Sequence, residues 1–174
     1  IITGTFLVAL VKGLPDLAGA GEYFWVAVGL AAIPSTLLWG AAGRRLGTVA
    51  ALVLAHLLQA IGIALPVLSA GALAVLGSAL LFGGTFIGIT ALTLSLGSAI
   101  AGANQARTIG ALTAAFSVGQ ALGPSLGGML AERSGSFDLS LVAAALIVAV
   151  GAAALLLGQL WERRPVAPIE EKPQ

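Results

Sequence analysis

Long apolar runs separated by short polar segments make up most of this chain. Residues 23–43 carry no Asp, Glu, Lys or Arg, and residues 46–106 carry none either. A helix needs about 20 apolar residues to cross the roughly 30 Å hydrocarbon core of a bilayer. Because the runs are at least this long, the pattern predicts an all-α protein that crosses a membrane several times.

Pro, Gly and charged residues divide the apolar pattern into six predicted spans. The run 46–106 is too long for one helix, and Pro66 with Gly71 marks the break inside it. The predicted spans are 1–12, 23–42, 48–66, 72–97, 108–131 and 139–161. Together they form one bundle over residues 1–162. Residues 163–174 are polar and include three prolines, which predicts a disordered tail.

The first predicted span is too short to cross a bilayer. Its apolar run starts at Ile1 and ends at Lys12, and a helix of about 11 residues rises only roughly 17 Å. No positive charge precedes the run, so it does not resemble a signal peptide. We therefore expect a truncated helix, with more of the protein preceding Ile1.

Basic residues are distributed unevenly between the two sides that the predicted spans define. Short cytoplasmic loops of membrane proteins collect Lys and Arg. Two basic residues, Lys12 and Arg133, fall on one side, and six fall on the other: Arg44, Arg45, Arg107, Arg163, Arg164 and Lys172. This count predicts a multi-pass membrane protein whose C-terminus is cytoplasmic.

Composition disfavours several other classes. The 174 residues are 59% hydrophobic and 9% charged, whereas soluble domains carry about 25% charged residues, so a soluble helical bundle is disfavoured. The net charge of +1 provides no basic field for a nucleic acid. The chain has no cysteine, one histidine and none of the common hydrolase, zinc or phosphate-loop motifs. We therefore predict no enzymatic activity, no cofactor and no metal site.

The fifth predicted span contains a helix face of small residues. Gly119, Gly123 and Gly127 recur every four residues and lie along one face, and Gly128 follows them. Such a face lets another helix approach closely, while Pro124 removes one backbone hydrogen bond and kinks the helix. Two interpretations stay open, namely ordinary tight packing and a flexible hinge that helps a gate open and close.

The third predicted span holds the only histidine of the chain. His56 and Gln59 are three residues apart, which places them on one helix face near the middle of the membrane. An ionisable group there is a functional candidate by default, and the alternative is a neutral histidine bonded to Gln59 or to another helix. The central parts of the complete spans carry no Asp, Glu, Lys or Arg. Proton coupling would therefore need His56 or a carboxylate in an upstream part of the protein.

Two motifs resemble signatures of the major facilitator superfamily (MFS) of transporters. The segment with Gly40, Arg44, Arg45 and Gly47 resembles the short basic loop that joins the second and third helices of each half. The run 119–128 resembles the GPxxGG signature of the fifth helix, here in the equivalent eleventh. Four further segments resemble the YbfB/YjiJ-type branch of bacterial inner-membrane transporters: 29–40, 57–62, 81–86 and 114–124.

The resemblance covers residues 1 to about 160 and implies a specific fold. The chain would be the C-terminal half, helices seven to twelve, of a twelve-helix carrier, with a missing N-terminal six-helix half as its partner. Each half of such a carrier contains two inverted three-helix repeats. The shared Gly-Thr-Phe sequences at 4–6 and 84–86 agree with that arrangement.

The same resemblance implies roles for individual residues. In that fold the first helix of each repeat lines the central cavity and the second flanks it. The substrate-binding candidates are then Thr5, Phe6, Thr85, Phe86, Thr90, Phe116 and Gln120. The gating and packing candidates are Pro34, Gly119, Gly123, Pro124, Gly127 and Gly128. The third helix of each repeat lies outside, which ranks His56 and Gln59 below these candidates.

The predicted function is secondary active transport of a small organic molecule across the bacterial inner membrane by alternating access, with proton coupling left open. The cavity candidates are uncharged hydroxyl, amide and aromatic groups, which favours neutral or amphipathic substrates, or a charged substrate whose counter-charge lies in the missing half. A non-transporting membrane scaffold, whose glycine faces bind partner helices, is the alternative. A channel is a weaker third possibility, because no charged ring or repeated filter sequence is present.

Overall fold

Helices account for all regular structure in the residues that the computed structural model describes, which are 4, 5, 11, 21–69 and 71–162. The helices are α1 (Gly21–Leu46), α2 (Thr48–Leu68), α3 (Ala72–Ala101), α4 (Gln105–Ser134) and α5 (Asp138–Glu162). A 3-10 turn, Gly102–Asn104, joins α3 to α4. Helices α1 to α5 contain the second to sixth predicted spans.

Within the described residues, four helical stretches are long and apolar enough to cross a membrane. They are Gly21–Leu46, Thr48–Leu68, Ala72–Ser134 and Asp138–Trp161. The third stretch contains both α3 and α4, each 30 residues long, and a helix of that length extends about 45 Å. The protein is therefore an all-helical, multi-pass membrane protein.

Single glycines set the ends of two helices. α1 runs through Gly40 and Gly43 and ends at Leu46, because Gly47 has a φ of 88°, a conformation that other residues rarely adopt. The short basic loop expected at 40–47 is therefore reduced to the single residue Gly47. α4 ends in the same way at Gly135, whose φ is 74° and whose N–H donates to the Ala131 carbonyl at 2.9 Å.

Two predicted interruptions are shorter than expected. α2 continues through Pro66 to Leu68, because a proline near a helix end removes only one backbone hydrogen bond. The interval 98–107 between two predicted spans is reduced to Gly102–Asn104, and α4 already begins at Gln105. Gln, Ala and Arg favour a helix, so the break falls at Gly102, which has a φ of 52°.

α3 lies at the centre of the bundle and packs against α1 on one side and α2 on the other. One core cluster joins Phe24 and Val28 of α1 to Val75, Ala79 and Phe82 of α3. A second cluster joins α1, α2 and α3 through Trp39, Ala51, Leu52, Ala55 and Leu92. These contacts make α1, α2 and α3 the most tightly packed part of the described chain.

The two helices that follow α3 are less embedded. α5 packs on α2 through Ile63, Leu141 and Ala144, and most of its remaining surface is exposed, which fits an outer helix. α4 has only two buried residues, Gly127 and Ala131. Because the middle of α4 stands away from α2 and α3, the bundle contains a cavity.

Candidate functional site

A partly open cavity of about 720 Å³ lies between α2, α3, α4 and α5. Its walls are mostly aliphatic and aromatic, and a few polar side chains face it. Small-molecule sites in proteins are typically cavities of about 300–1,000 Å³ with this kind of lining. The polar lining residues are His56, Gln59, Thr90, Thr93, Thr113 and Gln120.

Four of the predicted substrate-binding residues line this cavity. Phe86 and Thr90 face it from α3, and Phe116 and Gln120 face it from α4. The predicted gating residues Gly119 and Gly123 line it too. A further two lining residues, His56 and Gln59, are the candidates that the sequence ranked lowest. The structure therefore brings α2 into the lining, although the resemblance implied an outer position for that helix.

Thr85 lies outside the lining of this cavity. Successive residues of an α-helix point about 100° apart, so Thr85 faces α2 while its neighbour Phe86 faces α4. Thr85 is 2% exposed, and its hydroxyl donates to the Leu81 carbonyl at 2.6 Å. It also lies 3.3 Å from Gln59 Oε1. Thr85 thus contacts the amide of Gln59, which lines the cavity, but does not line the cavity itself.

Of the two remaining predicted cavity residues, the structure describes Thr5, which lies elsewhere. Thr5 lines a second cavity of about 330 Å³, together with Gly4, Trp25, Val28 and other residues of α1 and α3. Phe6 lies outside the described residues. Phe86 lines both cavities, so its ring forms part of the wall between them.

A row of aromatic rings leads into the larger cavity. The rings of Phe82 and Phe86 stack with centroids 5.3 Å apart. The rings of Phe86 and Phe116 are tilted with centroids 6.1 Å apart, so this pair connects α3 to α4. Aromatic pairs at such distances are favourable, and the row presents ring faces and edges to a molecule in the cavity.

The His56 ring is held in one orientation. Its Nδ1 lies 2.8 Å from the Leu52 carbonyl oxygen. Since a carbonyl can only accept, Nδ1 carries the hydrogen, and Nε2 of the neutral ring is then an acceptor. On α5, Gly151 lies beside the ring: a Cβ there would be in ordinary van der Waals contact with His56 Cδ2 at 3.5 Å and with Nε2 at 3.8 Å.

Charge is absent from the lining of the cavity over the described residues: no Asp, Glu, Lys or Arg contributes to it. The exposed Arg44 and Arg45 lie in the last turn of α1. There they complement the negative end of the helix dipole. The chemistry that the cavity offers is therefore hydrogen bonding and aromatic contact.

Three of the other gating and packing candidates lie on α4, whereas Pro34 lies on α1, which does not border the cavity. The Gly127 carbonyl accepts a hydrogen bond from Ser140 Oγ of α5 at 2.7 Å. Pro124 and Gly128 are half-buried within the continuous helix α4. Pro34 is exposed within α1, and Gly40 and Gly47 lie towards the end of that helix, away from the cavity lining.

A connection between α1 and α3 was not anticipated from the sequence. Ser35 Oγ donates to the Gly84 carbonyl at 2.8 Å and accepts from the Gly88 N–H at 3.0 Å. Trp39 Nε1 donates to the same Gly84 carbonyl at 2.7 Å. The signal was present as Ser35 and Trp39, four residues apart on α1, and Gly84 and Gly88, four apart on α3, but spacing alone does not pair two helices.

The family follows from sequence comparison. Residues 1–156 match the sequence model of a family described as uncharacterised MFS-type transporter YbfB. The chain belongs to this YbfB-type family of MFS transporters. No match was found among curated proteins or among solved structures. The resemblance drawn from the basic loop and the glycine motif is thereby confirmed. All residues that line the larger cavity of this YbfB-type chain lie within the matched region.

Proposed function

We propose that this protein is a secondary active transporter that moves a small organic molecule across the bacterial inner membrane by alternating access. In this proposal the chain supplies six helices, seven to twelve, arranged as two inverted three-helix repeats. A second six-helix half completes the carrier. The C-terminus is cytoplasmic, in agreement with the basic side chains of Arg44, Arg45 and Arg107.

One observation carries the proposal: a transporter-family chain contains a partly open cavity of about 720 Å³ between four apolar helices. A carrier needs a site within the membrane that is large enough for its substrate. It also needs an element that can move, and α4, with only Gly127 and Ala131 buried, is the described helix with the fewest restraints. A scaffold would need neither feature.

The test uses the natural absence of cysteine from this chain. Gln120→Cys places a thiol in the cavity lining, and Leu157→Cys places one on the exposed face of α5, where Leu157 is 67% exposed. A membrane-impermeant thiosulfonate reagent should modify Gln120→Cys, because a carrier cavity admits water. It should leave Leu157→Cys unmodified, because lipid covers that face.

The outcome separates a carrier from a scaffold. In a carrier the reactivity of Gln120→Cys also differs between reagent added from the cytoplasmic side and reagent added from the opposite side. If Gln120→Cys is as unreactive as Leu157→Cys from both sides, the cavity is dry and the transporter proposal is wrong. Repeating the labelling with a pH gradient tests proton coupling, which should shift the sidedness.

A further inference from the structure

We propose that the larger cavity binds an uncharged aromatic molecule that carries an N–H or O–H donor, and that His56 Nε2 accepts the hydrogen bond from this donor. The inference rests on the proposed function, since it names the substrate class of the same cavity. His56 is then a specificity-determining residue, although it lies on a helix that the family resemblance places outside the substrate path.

The described part of the lining offers no counter-charge to an ionised ligand. Over the described residues, no charged side chain borders the cavity. A charged group that leaves water for an apolar site without a counter-charge pays a large desolvation cost. A ligand whose functional groups are neutral avoids this cost, so we expect neutral ligands to bind more tightly than charged ones of the same shape.

The aromatic row favours a flat ring. Phe86 and Phe116 face the cavity with centroids 6.1 Å apart, and Phe82 stacks behind Phe86 at 5.3 Å. A planar ligand can extend this row by stacking on a ring face or by meeting a ring edge. An aliphatic ligand of equal volume gains burial but none of these ring contacts.

His56 Nε2 is an acceptor of the lining that is left available to a ligand donor. The Thr90 hydroxyl donates its hydrogen to the Phe86 carbonyl at 3.0 Å. The Gln59 Oε1 lies 3.3 Å from the Thr85 hydroxyl. The His56 Nδ1–H is engaged by the Leu52 carbonyl, so Nε2 keeps its lone pair. Over the described residues nothing donates to Nε2, and a ligand donor satisfies it.

The experiment compares three probes of one shape. They are 2-naphthol, which is neutral and has an O–H donor, 2-methoxynaphthalene, which has no donor, and 2-naphthoate, which is charged. Binding to the protein in lipid nanodiscs is measured by equilibrium dialysis, with empty nanodiscs subtracted to remove partition into lipid. We expect 2-naphthol to bind about tenfold more tightly than 2-methoxynaphthalene, as one net hydrogen bond predicts. We expect 2-naphthoate to bind weakest.

Two variants of His56 test the acceptor itself. His56→Asn keeps an amide that can donate to the Leu52 carbonyl but lacks a group at the position of Nε2. It should weaken 2-naphthol binding about tenfold and leave 2-methoxynaphthalene unchanged. His56→Gln extends an amide oxygen further out and should restore part of the preference. Ser98→Ala is the matched control, because Ser98 bonds only to the Leu94 carbonyl of its own helix and does not line the cavity.

Equal binding of 2-naphthol and 2-methoxynaphthalene would overturn the inference, as would unchanged selectivity in His56→Asn. Binding of 2-naphthoate as strong as that of 2-naphthol would contradict the preference for a neutral ligand. These results are independent of the labelling test of transport. If the probes bind selectively but Gln120→Cys is unreactive, the binding site is supported and the carrier proposal is wrong. If Gln120→Cys reacts but the probes bind without selectivity, the carrier proposal is supported and this substrate class is wrong.

Discussion

At the scale of single residues, two glycines of α3, Gly83 and Gly88, decide how closely α1 and α3 approach, because they carry no side chain. A Cβ on Gly83 would collide with the Val28 carbonyl oxygen and would lie 2.9 Å from the Val28 carbonyl carbon. A Cβ on Gly88 would collide with the Trp39 indole, lying 2.6 Å from its Cγ. The first obstacle is backbone and cannot rotate away, whereas the second is a side chain.

We expect Gly83→Ala to destabilise the protein more than Gly88→Ala. Overpacking costs about 1–3 kcal/mol, which corresponds to a melting temperature lower by roughly 3–10 °C in a chain of this size. Circular dichroism melting in detergent measures the effect. Gly29→Ala is the control, since nothing lies within 4 Å of its Cβ position. Equal melting temperatures for Gly83→Ala and Gly29→Ala would contradict the close approach.

The hydroxyl of Ser35 should matter more than a hydroxyl that bonds within its own helix. Ser35→Ala removes a donor from the Gly84 carbonyl and the acceptor of the buried Gly88 N–H. Leaving such a group unpaired costs about 1–3 kcal/mol. We expect a lower melting temperature for Ser35→Ala than for Ser98→Ala, whose hydroxyl bonds only to Leu94 four residues earlier. Indistinguishable melting curves would mean that the α1–α3 connection contributes no stability.

At the scale of helices, α4 packs closely on its neighbours near its two ends and meets α3 between them through the Phe86–Phe116 ring pair. Near its start, Leu112 packs so closely on Gly97 of α3 that a Cβ there would lie 2.5 Å from Leu112 Cδ1. Near its end, the Gly127 carbonyl accepts from Ser140 Oγ of α5. Between these points, the helix borders the cavity.

Removing the second attachment should loosen one helix without unfolding the bundle. Ser140 is 1% exposed, so Ser140→Ala loses a buried hydrogen bond to α4. We expect faster deuterium uptake over residues 120–134, measured by mass spectrometry in nanodiscs, and unchanged uptake in α1. Ser117→Ala is the control, because Ser117 bonds to Thr113 of its own helix. Uptake that rises equally in α1 would indicate global destabilisation.

The sequence predicted the positions of the helices better than the directions in which their side chains face. Charge-free runs identify helices because the bilayer requires them, and Gly47 and Gly135 end them through their backbone conformation. Side-chain direction is harder, because lipid is as apolar as a protein core and the apolar residues surround each helix. Thr85 was therefore assigned to the cavity although it faces α2, and His56 and Gln59 were ranked low although they face the cavity. Contacts between distant residues, such as Ser35 with Gly84, carry no local signal.

At the scale of the whole molecule, the cavity can be filled without disturbing the fold. Gly119 lines it, and nothing lies within 4 Å of its Cβ position. We expect Gly119→Leu to keep its melting temperature and to weaken 2-naphthol binding at least about tenfold, because the new side chain occupies the cavity. Gly110→Leu is the matched control on the same helix, with equally open surroundings outside the lining. Equal binding by both variants would place the probe elsewhere.

Phe86 borders two cavities, and this shared wall links their contents. Protein interiors are close-packed. A ring that moves out of one cavity therefore occupies volume in the other. A turn of the ring towards the smaller cavity beside Trp25 would add space to the larger one, and the opposite turn would reverse the exchange. Two molecules, one in each cavity, would therefore compete for the position of a single side chain without touching each other.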